Sequence, residues 1–259
     1  MSLFTSKGPY GYTRGHRLLE IGGITVFLGA LAFLSVRIAL AVKGTTDGLM
    51  IALCLLAGLL TSDLISGMVH WAGDTLGATD TPVIGPHFIK PFREHHVDPL
   101  AITRHDFVET NGNNSIASLP VLGAITPVMP AEPGLGFYLC TVVVFTSWFL
   151  FGTNQFHKWA HQARPPRVAR TLQRWGLILS PTHHDIHHAT PHDKYYCITV
   201  GWLNPILSKL RVWRAVEWMI GKLRPDWLHI AERSAPVPNQ LLGAPVSATV
   251  PLPPARPVG

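Results

Sequence analysis

Charge is scarce in this chain. Asp, Glu, Lys and Arg make up 14% of its 259 residues, against about 25% in an ordinary soluble domain, so a water-facing surface cannot cover most of it. Cysteine is scarce as well. Cys54, Cys140 and Cys197 lie far apart with no CxxC pair, which excludes a disulfide framework and a thiolate metal site. There is no HExxH, since Glu94 precedes His95 and His96 instead, and an intramembrane zinc protease built on that motif is disfavoured. No internal repeat is present. The net charge of +6 does not come from a basic, aromatic-studded soluble face. Its Lys and Arg lie mostly between or after apolar spans, which fits membrane orientation better than nucleic-acid binding.

What the chain does have is apolar length and histidine. Hydrophobic residues reach 47% and Trp is unusually frequent at eight. Residues 18–42 form an apolar span interrupted only by Glu20 and Arg37 near its ends, long enough to cross a bilayer with tilt and too long for a signal-peptide core. A tight turn at 43–48 leads to a second span, 49–69, with Asp63 and Ser66 near its far end. Asp63 is costly in hydrocarbon unless it faces protein or the interface. Residues 116–131 are apolar but broken by Pro120, Pro127 and Pro130, so this segment spans or re-enters. Residues 135–156 make a stronger span. The fold expected is all-α: an integral, multi-pass membrane protein with about four transmembrane helices and a cytoplasmic, histidine-rich helical cap. Four spans bring both termini and all the histidine-bearing segments to one side, and the Lys/Arg bias names that side cytoplasmic.

Fourteen histidines stand against fifteen acidic residues, which moves attention from carboxylate to imidazole chemistry. Residues 180–192 read SPTHHDIHHATPH and carry His183, His184, His187, His188 and His192. On a helix, spacings of three and four put several of these rings on one side. A purification tag is the plain alternative, but an interrupted, embedded run flanked by Pro181 and Pro191 is unlike one. His70 and Asp74 are four apart in MVHWAGD, His95 and His96 fall on a short helix expected between Pro91 and Pro99, and His157 and His161 are again four apart in NQFHKWAH. This many imidazoles exceed the needs of one metal and imply two. Iron fits best and zinc stands behind it. His16 and His229 read as non-ligands.

The segments VHWAGDTLG, KPFREHHVDPLAITRHDFVETNGNN, NQFHKWAH and SPTHHDIHHATPHDKYYCITVGWLN resemble the plasmanylethanolamine desaturase family of membrane lipid desaturases, whose plant relatives desaturate a phosphatidylglycerol acyl chain. The resemblance covers roughly residues 18–225. It implies a di-iron centre of two Fe ions, O2 as co-substrate, and conversion of a 1-O-alkyl ether phospholipid to its 1-O-alk-1′-enyl form. It carries the metal role onto His70, His95, His96, His157, His161, His184, His187 and His188. Asp74, His87, His105, His183 and His192 sit in the same motifs as ligands or as groups that hydrogen-bond to ligands. Glu94, Asp98, Asp106, Glu109, Asn111, Asn154, Asp185 and Asn204 are expected to support them, with the run 109–114 read as supplying turn geometry.

Residues 18–233 are read as the desaturase domain, preceded by a cytoplasmic segment, 1–17, and followed by a Pro-rich disordered tail, 234–259. Residues 164–174 form a basic surface stretch. Residues 195–210 suit an interfacial helix, and 209–233 an amphipathic, basic, Trp-bearing helix at the membrane surface. The expected partners are a membrane phospholipid and an external electron-transfer protein, with no nucleic acid. An acyl-lipid desaturase or hydroxylase using the same metals is the alternative within enzymes, and a membrane metal transporter the alternative outside them.

Overall fold

The computed structural model describes residues 13–233. The expected tail at 234–259 and residues 1–12 lie outside the described residues. The described elements are helical: α1 (Arg14–Ala41), α2 (Thr45–Thr75), a π-helical turn (Gly85–Ile89), α3 (Lys90–Val97), α4 (Ala101–Arg104), α5 (Phe107–Val128), α6 (Leu135–His161), α7 (Arg167–Arg174), α8 (Pro181–His188), α9 (Asn204–Lys209) and α10 (Val212–Leu223). Two short 3-10 turns, Pro225–Trp227 and Ile230–Arg233, follow α10.

Three helices, α1, α2 and α6, are long and apolar enough to cross a membrane. The fourth long helix, α5, has an apolar second half and a polar first half. It packs against α1 and α6, while α2 packs against α6. Polar contacts fix the directions. Arg17 pairs with Asp106 at the start of α5 (2.7 Å). Arg37 donates to the carbonyls of Thr126 (3.2 Å) and Met129 (2.9 Å) at the other end of α5. So α1 and α5 run the same way, and Arg37 caps carbonyls that have no partner within their own helix. At that same end Lys43 pairs with Glu132.

Between these helices Phe27, Leu31, Leu34, Leu122, Phe137 and Val144 form a buried apolar core. Lipid is as apolar as such a core, so close packing has to contribute the attraction. Gly58 allows it: a Cβ there would lie 2.6 Å from Phe145 Cβ and 2.9 Å from the Thr146 nitrogen. Outward-facing Leu40, Leu53, Val121 and Leu139 are exposed, as lipid-facing residues should be.

Several boundaries differ from the sequence reading. Residues 109–114 are helix rather than turn. Asp106 caps α5 by accepting from Val108 N (2.9 Å) and Glu109 N (3.1 Å), and the Glu109 carboxylate returns to Asp106 N (3.2 Å), a capping box that starts the helix early. The 43–48 turn is shorter, because α2 begins at Thr45 with Asp47 in its first turn.

Residues 195–203 are not an interfacial helix. They form an irregular buried segment whose N–H groups find side-chain acceptors on α2. Ile198 N donates to Ser66 Oγ (3.0 Å). Asp63 accepts from Val200 (3.0 Å), Gly201 (2.8 Å) and Leu203 (3.1 Å). Irregular backbone is tolerated in such a protein where it is covered and satisfied in this way. The 209–233 helix is likewise cut short, by Arg211 in a left-handed conformation (φ 52°) and by Pro225. Within it Trp213 is buried against Trp71, while Trp218 is exposed.

Candidate metal centre

The histidines meet at one end of the long helices. His70 and Asp74 occupy the last two turns of α2, and His157 and His161 the last turns of α6, each pair four residues apart and so on one face. His95 and His96 end α3, which opens at Lys90–Pro91, a placement the proline tolerates. His184, His187 and His188 lie on α8, capped by Ser180 Oγ receiving His183 N (3.3 Å).

These elements produce two groups of potential ligand atoms, each group lying within 4.8 Å of itself. One is His95, His157, His161, His184 and His188, and the other is His70, Asp74, His96 and His187. The neighbours His95 and His96 enter different groups. The eight histidines read from the sequence are thus all brought together, and Asp74 joins them.

In the five-histidine group, His161 Nε2 lies 2.9 Å from His95 Nε2, 3.2 Å from His157 Nε2 and 3.0 Å from His184 Nε2, and His188 Nε2 is 3.1 Å from His184 Nε2. A neutral ring carries one N–H, so hydrogen bonding cannot satisfy three such neighbours at one nitrogen. Ligands held about 2.1 Å from one ion, by contrast, sit about 3 Å apart at its corners.

The four-residue group is aimed by carbonyl oxygens. Nδ1 of His70 faces Tyr196 O (3.2 Å), Nδ1 of His96 faces Arg233 O (3.2 Å), and Nδ1 of His187 faces Lys194 O (2.9 Å). A carbonyl only accepts, so each Nδ1 carries the proton and each Nε2 presents a lone pair. Those three Nε2 atoms lie 3.6, 3.4 and 3.6 Å from Asp74 Oδ2. Asp74 is fully buried, and neither of its oxygens has a hydrogen-bond partner; His70 Nε2 has none either. Such a buried carboxylate is costly without compensation. A cation is the compensation this donor set fits.

Burial away from water, followed by repulsion from neighbouring rings, holds His95, His184 and His187 well below the ordinary histidine value of 6.5. The same causes bring His96 down to about 4 and His188 to about 3. The rings are therefore neutral at pH 7, the state that binds metal.

The other expected residues divide. His192 is buried, stacks on His96 with ring centroids 4.3 Å apart, and points Nδ1 at His187 O (3.1 Å). His183 turns away from both groups toward Asn204 Nδ2 (3.1 Å), and Asn204 also bonds the Cys197 backbone through both its amide atoms (2.8 Å each). His87 is exposed and outside both groups, as is the half-buried His105, whose carbonyl receives Lys158 Nζ.

Among the supporting residues, Asp106 and Glu109 build the cap of α5. Asn154 donates to Thr110 O (3.1 Å), which ties α6 to α5, while buried Asn111 donates to Phe107 O (2.8 Å) within α5 itself. Glu94 faces Lys90 (3.5 Å), Asp98 pairs with Arg104, and Asp185 is exposed. None of these three belongs to either ligand group. His16 lies beside Glu20 and His229 beside Glu232. The sequence reading missed the carbonyls of Lys194, Tyr196 and Arg233, because backbone groups leave no residue-type signal. It noticed Asp63 only as a cost; its three N–H bonds anchor the segment that carries Tyr196.

Fold and site together define a class: a helical membrane protein with a paired, histidine-built centre able to hold metal at one end of its apolar helices. Comparison narrows the class. The lipid desaturase domain family matches residues 59–225. Plasmanylethanolamine desaturase of Myxococcus xanthus is 45% identical over 222 residues, 82% of this chain and 76% of its own length. Plasmanylethanolamine desaturase 1 of Mus musculus is 41% identical over 215 residues, 81% of this chain and 79% of its own. The chloroplastic fatty acid desaturase 4 of Arabidopsis thaliana is 35% identical over 212 residues, 78% of this chain and 60% of its own. No solved structure matches. The chain belongs to the lipid desaturase family, and is an oxidoreductase acting on lipid.

Proposed function

We propose that this protein introduces the 1′–2′ double bond into the alkyl chain of a 1-O-alkyl ether phospholipid, converting plasmanylethanolamine to plasmenylethanolamine with two irons and O2. The observation that carries the reading is the pair of ligand groups at the polar ends of apolar helices, joined to the 45% and 41% identity with curated plasmanylethanolamine desaturases. Removing hydrogen from an alkyl chain needs a redox-active metal, which favours iron over redox-silent zinc in a site of imidazoles and one carboxylate.

His95, His157, His161, His184 and His188 would hold one ion, and His70, Asp74, His96 and His187 the other. Bound there, the irons supply oxygen activation. The balance is that the chain loses two hydrogens while O2, with two further electrons and two protons from an external donor protein, becomes two waters. The protein's own contribution is positioning. The carbonyls of Tyr196, Arg233 and Lys194 fix three rings with Nε2 forward, and burial keeps the rings neutral. The centre lies where the apolar stretches of α2 and α6 end. A bond next to the glycerol backbone reaches that depth more readily than one in the middle of an acyl chain.

In this reading α5 is the fourth span, residues 18–233 form the desaturase domain, and the centre and both termini face the cytoplasm, as the Lys/Arg bias favours. The similarity to fatty acid desaturase 4 supports one second reading, desaturation of an acyl chain. A metal transporter is less well supported, since the histidines converge at one end instead of lining a path across the helices. Lipid extracts from cells with and without the gene decide. Acid-labile vinyl ethers appearing only with the gene support the proposal, and a change confined to acyl unsaturation overturns it.

A further inference from the structure

The last described residues cross the end of α2 as a strap, and they lie beyond residue 225, where the family match stops. Gly77 N donates to Trp227 O (2.9 Å), Leu76 pairs with Leu228 through the backbone, and His229 N donates to Thr75 O (2.8 Å). Two buried arginines lock it. Arg93 pairs with Glu232 and donates to Gly77 O (2.6 Å). Arg233 pairs with Glu217 and donates to Thr75 Oγ1 (2.7 Å).

Among the described residues, the strap hydrogen-bonds to one of the two ligand groups and not to the other. Arg233 O receives Nδ1 of His96, and Thr75 adjoins Asp74. The Arg233 guanidinium lies 6.0 Å over the ring of Tyr196, whose own carbonyl receives Nδ1 of His70. The five-histidine group makes no hydrogen bond to residues 225–233 among the described residues. Groups that orient metal-bound histidines typically change metal affinity 10- to 100-fold when altered.

We infer that Arg233 is a positioning residue for one metal only: by locking the strap, it orients His96 and secures the ion held by His70, Asp74, His96 and His187, leaving the five-histidine ion unaffected. This inference rests on the two-metal reading above.

Iron counted per full-length chain after a fixed chelator challenge tests it, with the helical circular-dichroism spectrum as a check on folding. Wild type and Lys222→Ala should each retain two irons. Arg233→Ala should keep its helicity and retain one. Two irons retained in Arg233→Ala, or both lost together, overturns the inference. Fewer than two in unchallenged wild type removes the two-metal reading and the inference with it, a result distinct from the other two. Should Arg233→Ala not fold, Glu232→Gln decides: release of one iron about tenfold faster than in wild type supports the strap, and unchanged release of both overturns it.

Discussion

His96 and His187 face each other Nε2 to Nε2 across 3.0 Å, while each commits its Nδ1 proton to a backbone carbonyl. Two lone pairs at that distance repel unless a cation lies against both. His187→Ala should therefore lose one metal and keep the other, and turnover should fall by about 100-fold or more, at or beyond the upper end of what losing a ligand-orienting group costs. Metal analysis with a lipid-product assay checks this, and full activity in His187→Ala contradicts it.

Asp63 should matter for stability more than its distance from the ligands suggests. Its carboxylate accepts three backbone N–H groups from 200–203, and Asp63→Ala would leave them buried and unpaired. The expected loss is about 3 kcal/mol or more. Thermal unfolding in detergent, compared with wild type, measures it.

The same segment is positioned by a close approach to Gly67. A Cβ at this position would meet Cys197 Sγ at 2.6 Å and Cys197 N at 3.2 Å. Gly67→Val should push the segment away, release His70 from Tyr196 O, and lower metal affinity by about 10-fold or more while the long helices persist. Chelator competition and far-ultraviolet circular dichroism on one preparation separate these two effects.

Much of this architecture was legible in the sequence. The three strongest apolar runs became α1, α2 and α6, and histidine spacings of three and four brought eight rings to one place. The rest depended on partners distant in sequence. Asp106 with Glu109 turned an Asn-rich run into helix, and Asp63 with Ser66 kept 195–203 irregular where its apolar, aromatic composition suggested a helix. The division of neighbours His95 and His96 between two groups follows from the helical twist of α3 against α2, α6 and α8, which spacing alone does not encode.

Acid should empty the centre within a defined window. Burial first, then charge repulsion, holds His96 at about 4 and His188 at about 3, against 6.5 in an unperturbed ring. An unfolded chain takes up these protons below pH 6.5, but the folded chain resists until its lower values are reached. Each ring's stabilisation is complete above about pH 6.5 and falls by about 1.4 kcal/mol per pH unit as pH drops toward those values. Folding stability should begin to fall below about pH 6.5, while protein that stays helical should hold its iron until pH nears about 4. Iron release centred near pH 6.5 from protein that is still helical contradicts the burial of neutral rings.

The most direct test of the paired centre is the iron content of active, purified protein. Two irons per chain are predicted, with activity rising in proportion to occupancy of the second. Full activity in protein carrying fewer than two irons per chain contradicts the account.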